Sequence, residues 1–119
     1  MWTIEPTTSW EREQKRYAKK RPDELAAVLK NLARYFSQLS TAKNPQCVQA
    51  GYIHHEPMGI VAIDQRGPGC GNLQETRLYI FPCEAEKVLY IITMGNKSDQ
   101  PSDIEMSKEF VRSLKPPTP

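Results

Sequence analysis

The first third of the chain has the pattern of one short strand followed by two helices. Residues 2–5 alternate apolar and polar side chains, which predicts a strand with one buried face. Thr8 and Glu11 have the spacing of a capping box, so a first helix is expected to run to about Lys20. Pro22 suits the first turn of a second helix. The apolar face of that helix recurs at steps of three and four residues: Leu25, Val28, Leu29, Leu32, Phe36 and Leu39.

The middle of the chain is typical of a β-sheet. Residues 40–57 show no sustained period and contain proline and glycine, so we expect a connection with at most one short strand. The glycine-rich segment 67–71 is expected to form a loop, and 82–86 a hairpin loop. Three strands are predicted around these loops, at residues 59–63, 75–81 and 87–94.

A final helix is predicted near the end of the sequence. Ser102 and Glu105 form a second capping-box spacing, and an amphipathic face follows until Pro116 and Pro117 end the helix. The order β-α-α-β-β-β-α predicts an α+β fold, with the first strand and two helices packed on an antiparallel three-stranded meander. We expect residues 1–115 to form a single domain and 116–119 a disordered tail.

Charge is distributed unevenly, although the net charge of the 119 residues is only +2. Residues 1–43 carry nine Lys and Arg against five Asp and Glu, whereas residues 44–100 carry four against six. Residues 15–21 form a dense basic stretch with five Lys and Arg side chains: Lys15, Arg16, Lys19, Lys20 and Arg21. This stretch can bind RNA phosphates through counterion release, or it can be a solvated helix face without that role. The candidates for RNA binding are Lys15, Arg16, Lys19 and Lys20.

Several classes of protein are not indicated by the sequence. No apolar run approaches the roughly 18 residues of a membrane span and no signal-peptide pattern begins the chain, so a cytoplasmic location is expected. Cys47, Cys70 and Cys83 form no Cys-x-x-Cys pair, and neither a disulfide framework nor a zinc site is predicted. The 67–71 loop lacks a nucleotide-binding motif, and no cofactor is expected.

The stretch from Leu73 to Leu114 resembles the RelE/ParE superfamily of toxin–antitoxin modules. The sequence Arg-Leu-Tyr-Ile-Phe at 77–81 is similar to a family strand that carries an arginine, and Val-Leu-Tyr-Ile-Ile at 88–92 is similar to the apolar strand after it. Gly-Asn-Lys-Ser-Asp-Gln-Pro at 95–101 resembles the segment where phage-type and HigB-like members begin their last helix.

This resemblance implies a RelE-like fold and a ribosome-dependent messenger-RNA endonuclease. Such enzymes work without a metal and drive a ribose 2′-hydroxyl onto the adjacent phosphate, leaving a 2′,3′-cyclic phosphate. An antitoxin protein, the ribosome and messenger RNA are the implied partners, and no membrane is implied. The sheet region has fewer basic residues than RNA-cleaving relatives, so a non-catalytic interaction module or a ParE-like topoisomerase inhibitor stays open, with a small-molecule enzyme as the weakest alternative.

Arg77 is the first candidate for catalysis. Strand alternation places Arg77, Tyr79 and Phe81 on one face, and a guanidinium can donate two parallel hydrogen bonds to a phosphate. Lys97, beyond the last strand, is the second candidate cation. Tyr79 can stack on an unpaired base, although a strand aromatic is more often part of a core. Arg66 is a further RNA-binding candidate.

Candidates for the general base are His54, His55 and Glu56, because histidine titrates near neutrality and a partly buried glutamate can be tuned upward. Adjacent histidines in an extended chain point to opposite sides. At most one of the two is therefore expected to face the site, and shared ligation of one metal ion is not expected. Surface histidines without a function are the alternative.

Overall fold

The computed structural model of the protein describes residues 1–67 and 76–114. Within these residues the chain is α+β, with three α-helices and one five-stranded sheet. Short 3-10 helices occupy Pro45–Cys47, Pro57–Gly59 and Lys97–Asp99. The strands are β1 Thr3–Pro6, β2 Ile53–His55, β3 Val61–Asp64, β4 Thr76–Cys83 and β5 Val88–Asn96, and the helices are α1 Thr8–Lys20, α2 Pro22–Thr41 and α3 Gln100–Leu114.

The sheet is mixed and has the strand order β1-β5-β4-β3-β2. The predicted antiparallel meander is present as β3, β4 and β5. Two further strands belong to the sheet: β1, predicted from residues 2–5, pairs parallel with β5, and β2, the one short strand allowed within residues 40–57, pairs antiparallel with β3. Periodicity indicates that a segment is a strand, but the pairing of β1 with residues more than eighty positions away depends on tertiary packing.

One face of the sheet is covered by the first two helices. Leu25, Val28, Leu32 and Leu39 of α2 lie in the main core, and Leu29 and Phe36 pack against it, as the apolar period predicted. Trp10 and Tyr17 of α1 complete this side. The sheet contributes alternate residues to this core: Val61, Ile63, Leu78, Ile80, Leu89 and Ile91.

The opposite face of the sheet packs against α3. Ile60, Ala62 and Tyr79 form a second core with Val111, and Phe81 packs against it. The predicted alternation along β4 is thereby confirmed, since Leu78 and Ile80 belong to the first core. The two faces of β4 therefore meet different helices.

Neither helix is capped by the residues that the sequence predicted. The N-cap of α1 is Thr7, whose Oγ1 accepts a hydrogen bond from the Trp10 amide at 3.2 Å and donates one to the Ile92 carbonyl at 2.8 Å. Before α3, the capping box is formed by Asn96 and Asp99, and the helix itself begins at Gln100. Thr7 and Thr8 are neighbours of the same residue type, so helix-cap preference alone does not distinguish them. The hydrogen bond from Thr7 to the Ile92 carbonyl of β5 favours Thr7 as the N-cap.

Several sequence predictions lie outside the described residues. They are the 67–71 loop beyond Gly67, Cys70, the helix end at Pro116 and the 116–119 tail. No helix in the described ranges combines the length and the apolar character needed to cross a bilayer.

Candidate functional site

The β2–β3 hairpin brings a histidine and a buried aspartate together. His54 Nε2 lies 2.7 Å from Asp64 Oδ2, and the Asp64 side chain is only 2% exposed. His54 is opposite Ala62 in the ladder, so it lies on the α3 face of the sheet. An ionised carboxylate only accepts hydrogen bonds, so the neutral tautomer that fits this contact has its hydrogen on Nε2 and leaves Nδ1 as an acceptor. The ring is 27% exposed and therefore accessible to solvent.

Asp64 is held in place by α2 and by its own loop. The fully buried Asn31 donates through Nδ2 to the carbonyl oxygens of Asp64 and Arg66, at 2.8 and 2.7 Å. The Arg66 amide donates to Asp64 Oδ1 at 2.8 Å, and Arg66 Nε lies 3.6 Å from Oδ2. The carboxylate that orients His54 is thus fixed by contacts on several sides.

Arg77 and Glu56 form an ion pair beside this histidine. Arg77 NH1 lies 3.8 Å from Glu56 Oε2, and the two side chains are 17% and 18% exposed. Arg77 is the ladder partner of Asp64, so both side chains project from the same face of the sheet. We call the group His54, Glu56, Asp64, Arg66 and Arg77 the hairpin site.

The turn that follows Glu56 has an unusual backbone. Met58 and Gly59 have φ of 64° and 81° between the two strands, and the Glu56 amide donates to the Ile60 carbonyl at 2.8 Å. A positive φ is uncommon for methionine and costs about 1 kcal/mol or more. This tight turn places Glu56 directly beside β3.

His55 lies outside the hairpin site. Its Nε2 lies 3.0 Å from the Val48 carbonyl oxygen, and its ladder partner Val61 belongs to the core beneath α1 and α2. The prediction that the two histidines point to opposite sides is therefore confirmed. His54 is the one that shares a face with Arg77.

Tyr79 is not placed to stack on a base, contrary to that part of its predicted role. The residue is fully buried between the sheet and α3, because Ala62 and Val111 enclose it. Burial is the main cause that raises the pKa of its phenol, and the nearby Asp103 carboxylate adds to the effect. Tyr79 is therefore a core residue, which was the alternative interpretation of an aromatic residue on a strand.

Lys97 and the basic residues of α1 are exposed to solvent. Lys97 lies in the 3-10 helix after β5, two positions beyond Gly95, the ladder partner of Arg77. Arg16 is bound to Glu13, with NH2 at 2.6 Å from Oε1, and this hydrogen bond raises the pKa of Arg16. Within the described ranges, three further cations on this helix have no ion-pair partner: Lys15, Lys19 and Lys20.

A buried carboxyl under α3 was not anticipated from the sequence. Asp103 is 7% exposed, and burial raises its pKa from the usual 3.8 to about 6, with Asp99 and Glu13 adding to the effect and Arg16 opposing it. The carboxyl lies against Gly95, where a side chain would collide with it. A glycine in an apolar strand was the available signal for such a close approach.

Sequence reasoning also missed Asp64 and Asn31. The available signal for Asp64 was a carboxylate directly after four apolar residues of a buried strand, where an unpaired charge is costly. For Asn31 the signal was an amide next to the apolar face of α2. Neither signal identifies the partner: Asn31 lies 33 positions before Asp64, and His54 lies on a different strand, 10 positions before it.

No group of three or more His, Cys, Asp or Glu side chains in the described part of the chain is arranged to hold a metal ion. Comparison of the chain with protein-family models, with curated protein sequences and with solved structures gave no match. Function is therefore inferred from the geometry of the hairpin site and from the resemblance of the sequence.

Proposed function

We propose that this protein is a toxin of the RelE/ParE type that cleaves ribosome-bound messenger RNA without a metal ion. The main support is the 2.7 Å contact between His54 and the buried Asp64, on the sheet face that also carries Arg77. Cleavage by the 2′-hydroxyl needs a proton acceptor and a cation near one phosphate. The hairpin site offers both within one small surface.

In the proposed reaction His54 is the general base. Its Nδ1 accepts the proton of the ribose 2′-hydroxyl while Asp64 holds Nε2 and stabilises the imidazolium that forms. The 2′-oxygen bonds to phosphorus, the bond to the 5′-oxygen breaks, and that oxygen takes up a proton from water. The products are a 2′,3′-cyclic phosphate and a 5′-hydroxyl end. Asp64 acts as a positioning residue because it touches His54 and not the RNA.

Arg77 is the proposed phosphate-binding cation. Its ion pair with Glu56 is 3.8 Å long and only partly exposed, so an incoming phosphate competes with a carboxylate that is already present. Exchange of Glu56 for a phosphate would release Glu56 as a second proton acceptor. Arg66, within the hairpin site, and the exposed Lys97 beyond β5 supply further positive charge.

The exposed lysines of α1 are proposed to bind ribosomal RNA. Phosphate binding by lysine depends on charge and not on base sequence, which suits docking on a large RNA surface. An antitoxin that covers the site would keep the toxin inactive until it is needed.

A second candidate is a RelE-fold module that does not cleave RNA, including a topoisomerase inhibitor. The Arg77–Glu56 pair favours it, because a guanidinium that is engaged by a carboxylate is less available to RNA. Plasmid supercoiling measured in the same cells separates inhibition of a topoisomerase from RNA cleavage.

The two neighbouring histidines provide a matched test. Wild-type protein, His54→Gln and His55→Gln are expressed at equal levels, and growth, messenger-RNA integrity and the chemistry of the new RNA ends are measured. We expect growth arrest and cyclic-phosphate ends with wild type and His55→Gln, and neither with His54→Gln. Intact messages with folded wild-type protein on translating ribosomes would contradict the proposal.

The role of Asp64 has a separate readout. In a reconstituted ribosome assay, Asp64→Asn is expected to lower kcat by about tenfold or more and to alter the pH profile, with little change in KM. A variant that only loosened the fold would lower the active fraction without altering the pH profile.

A further inference from the structure

Helix α3 divides its face of the sheet into two separate regions. Asp103, Ser107 and Val111 lie one turn apart and are buried against the strands. On the flank toward the β2–β3 hairpin, Ile104, Met58 and Phe81 each pack against the second core. On the other flank three residues line an open groove next to the opposite sheet edge: Met106, Phe110 and Leu114.

This groove is concave and largely apolar. Its volume is about 480 Å³, and it lies between α3, the strands β1 and β5 and the first turn of α1. Tyr90 and Phe110 meet edge-to-face in its wall, with ring centroids 5.4 Å apart. Met106 is 41% exposed, although large apolar side chains are mostly buried elsewhere in the described chain. Apolar clefts with a few polar groups are the usual form of binding sites.

The border of the groove is acidic. Glu5 lines it, and Glu86 accepts a hydrogen bond from the Tyr90 hydroxyl at 2.8 Å. That hydrogen bond raises the pKa of Tyr90 to about 12, with smaller contributions from burial and from Glu5. Neither carboxylate forms an ion pair with a described Lys or Arg. Such a surface repels RNA phosphates and favours Lys or Arg side chains.

The sheet edge beside the groove is also open. β1 is the last strand of the sheet, and all of its residues are exposed. The amides of Thr3 and Thr7 donate to β5, at Lys87 and Ile91, so alternation directs the N–H and C=O of Ile4 outward. An extended chain that adds to this edge can exchange main-chain hydrogen bonds with the N–H and C=O of Ile4, but it can only donate to Pro6, which has a carbonyl and no N–H.

From these features we infer that the groove is a docking surface for an extended segment of a partner protein, in which an apolar residue is flanked by lysine or arginine. The apolar side chain lies between Met106 and Phe110, and the flanking cations meet Glu5 and Glu86. Charge complementarity selects this occupant over RNA. The surface is separate from the hairpin site, and the inference does not depend on RNA cleavage.

Two synthetic pentapeptides test this inference on the full chain. One is acetyl-Lys-Val-Lys-Leu-Lys-amide, and the other has glutamate in place of each lysine. Methionine methyl groups labelled with ¹³C report the binding position. We expect the basic peptide to shift the Met106 methyl signal and to leave that of Met58, on the other flank of α3, unchanged. The acidic peptide should shift neither.

Charge removal provides the matched control. The Glu5→Gln, Glu86→Gln double variant is expected to bind the basic peptide at least about tenfold more weakly. The Glu105→Gln, Glu109→Gln variant loses the same charge from exposed positions of α3 outside the groove and should bind as wild type does.

Three outcomes would overturn the inference. They are equal binding of both peptides, equal weakening by both double variants, and a concentration-dependent Met106 shift without peptide that accompanies dimer formation. The last result would assign the groove to a second copy of this chain.

Discussion

The carboxyl group of Asp103 lies against the backbone of Gly95, where a Cβ would collide with Asp103 Oδ2 and come within 3.0 Å of Asp99 Cβ. The first turn of α3 thus approaches β5 as closely as the absence of a side chain allows. Because Gly95 is also the ladder partner of Arg77, this contact connects the helix to the strand pair that carries the hairpin site.

Gly95→Ala is expected to destabilise the protein. The added methyl group collides with the Asp103 carboxyl, which cannot move freely because it is buried, so the free energy of unfolding should fall by about 1–3 kcal/mol. Urea unfolding measures the change. Gly51→Ala is the control, since a Cβ at Gly51 meets nothing within 4 Å. Equal stability of both variants would mean that α3 does not pack this closely on β5.

Asp103 should make stability depend on pH. Its pKa is about 6 in the folded protein and 3.8 in its usual environment, so the folded state binds the proton more tightly. The stabilising contribution is therefore fully present below about pH 4 and is lost as pH rises through about 6. Wild type should lose about 1–3 kcal/mol relative to Asp103→Asn over this range.

Urea unfolding of wild type and Asp103→Asn at several values from about pH 3 to about pH 7, roughly one unit beyond each end of the transition, tests this expectation. Asp99, Glu13 and Arg16, the charged groups that act on Asp103, are present in both proteins, so the difference between the two curves reports the replaced carboxyl. Parallel stability curves would show that the carboxyl does not titrate in this range.

Asn31→Ala should affect both stability and the hairpin site. The substitution leaves the carbonyl oxygens of Asp64 and Arg66 without their donor, which should cost about 1–3 kcal/mol of unfolding free energy. NMR signals of the His54 ring should broaden or shift, because Asp64 loses its support. Ser40→Ala, on the exposed side of the same helix, should change neither quantity. An unchanged His54 spectrum would separate Asn31 from the site.

Thr7→Ala is expected to cost about 1–2 kcal/mol of stability, and Thr8→Ala much less. Thr7 caps α1 and also donates to the Ile92 carbonyl, whereas the neighbouring Thr8 is exposed. Thermal unfolding of the two variants compares the positions directly. The reverse order of stabilities would make Thr8, and not Thr7, the N-cap of α1.

Replacement of Lys15, Lys19 and Lys20 by glutamine should weaken binding to ribosomal RNA. The slope of log affinity against log salt concentration should become shallower by an amount that corresponds to up to about three phosphate contacts. The fold should be unchanged, since all three side chains are exposed. A triple variant of Lys30, Lys43 and Lys87 removes the same charge from other exposed positions and is the control. Equal losses in both variants would indicate an effect of net charge alone.

Local sequence patterns were sufficient for most of the secondary structure. The steps of three and four residues in α2, the alternation of Leu78 with Tyr79 and the opposite directions of His54 and His55 follow from backbone geometry, which repeats every 3.6 or 2 residues. The choice of apolar residues therefore determined which side of each element is buried. It also indicated that Arg77 and one histidine would share a face.

Tertiary structure decided which elements are neighbours. β1 pairs with β5, Asn31 reaches Asp64, Asp103 approaches Gly95, and α3 separates the groove from the hairpin site. Each of these contacts joins segments that no local period connects. The burial of Tyr79 and the selection of Thr7 as a cap have the same origin, because packing of distant elements decides between local alternatives of similar energy.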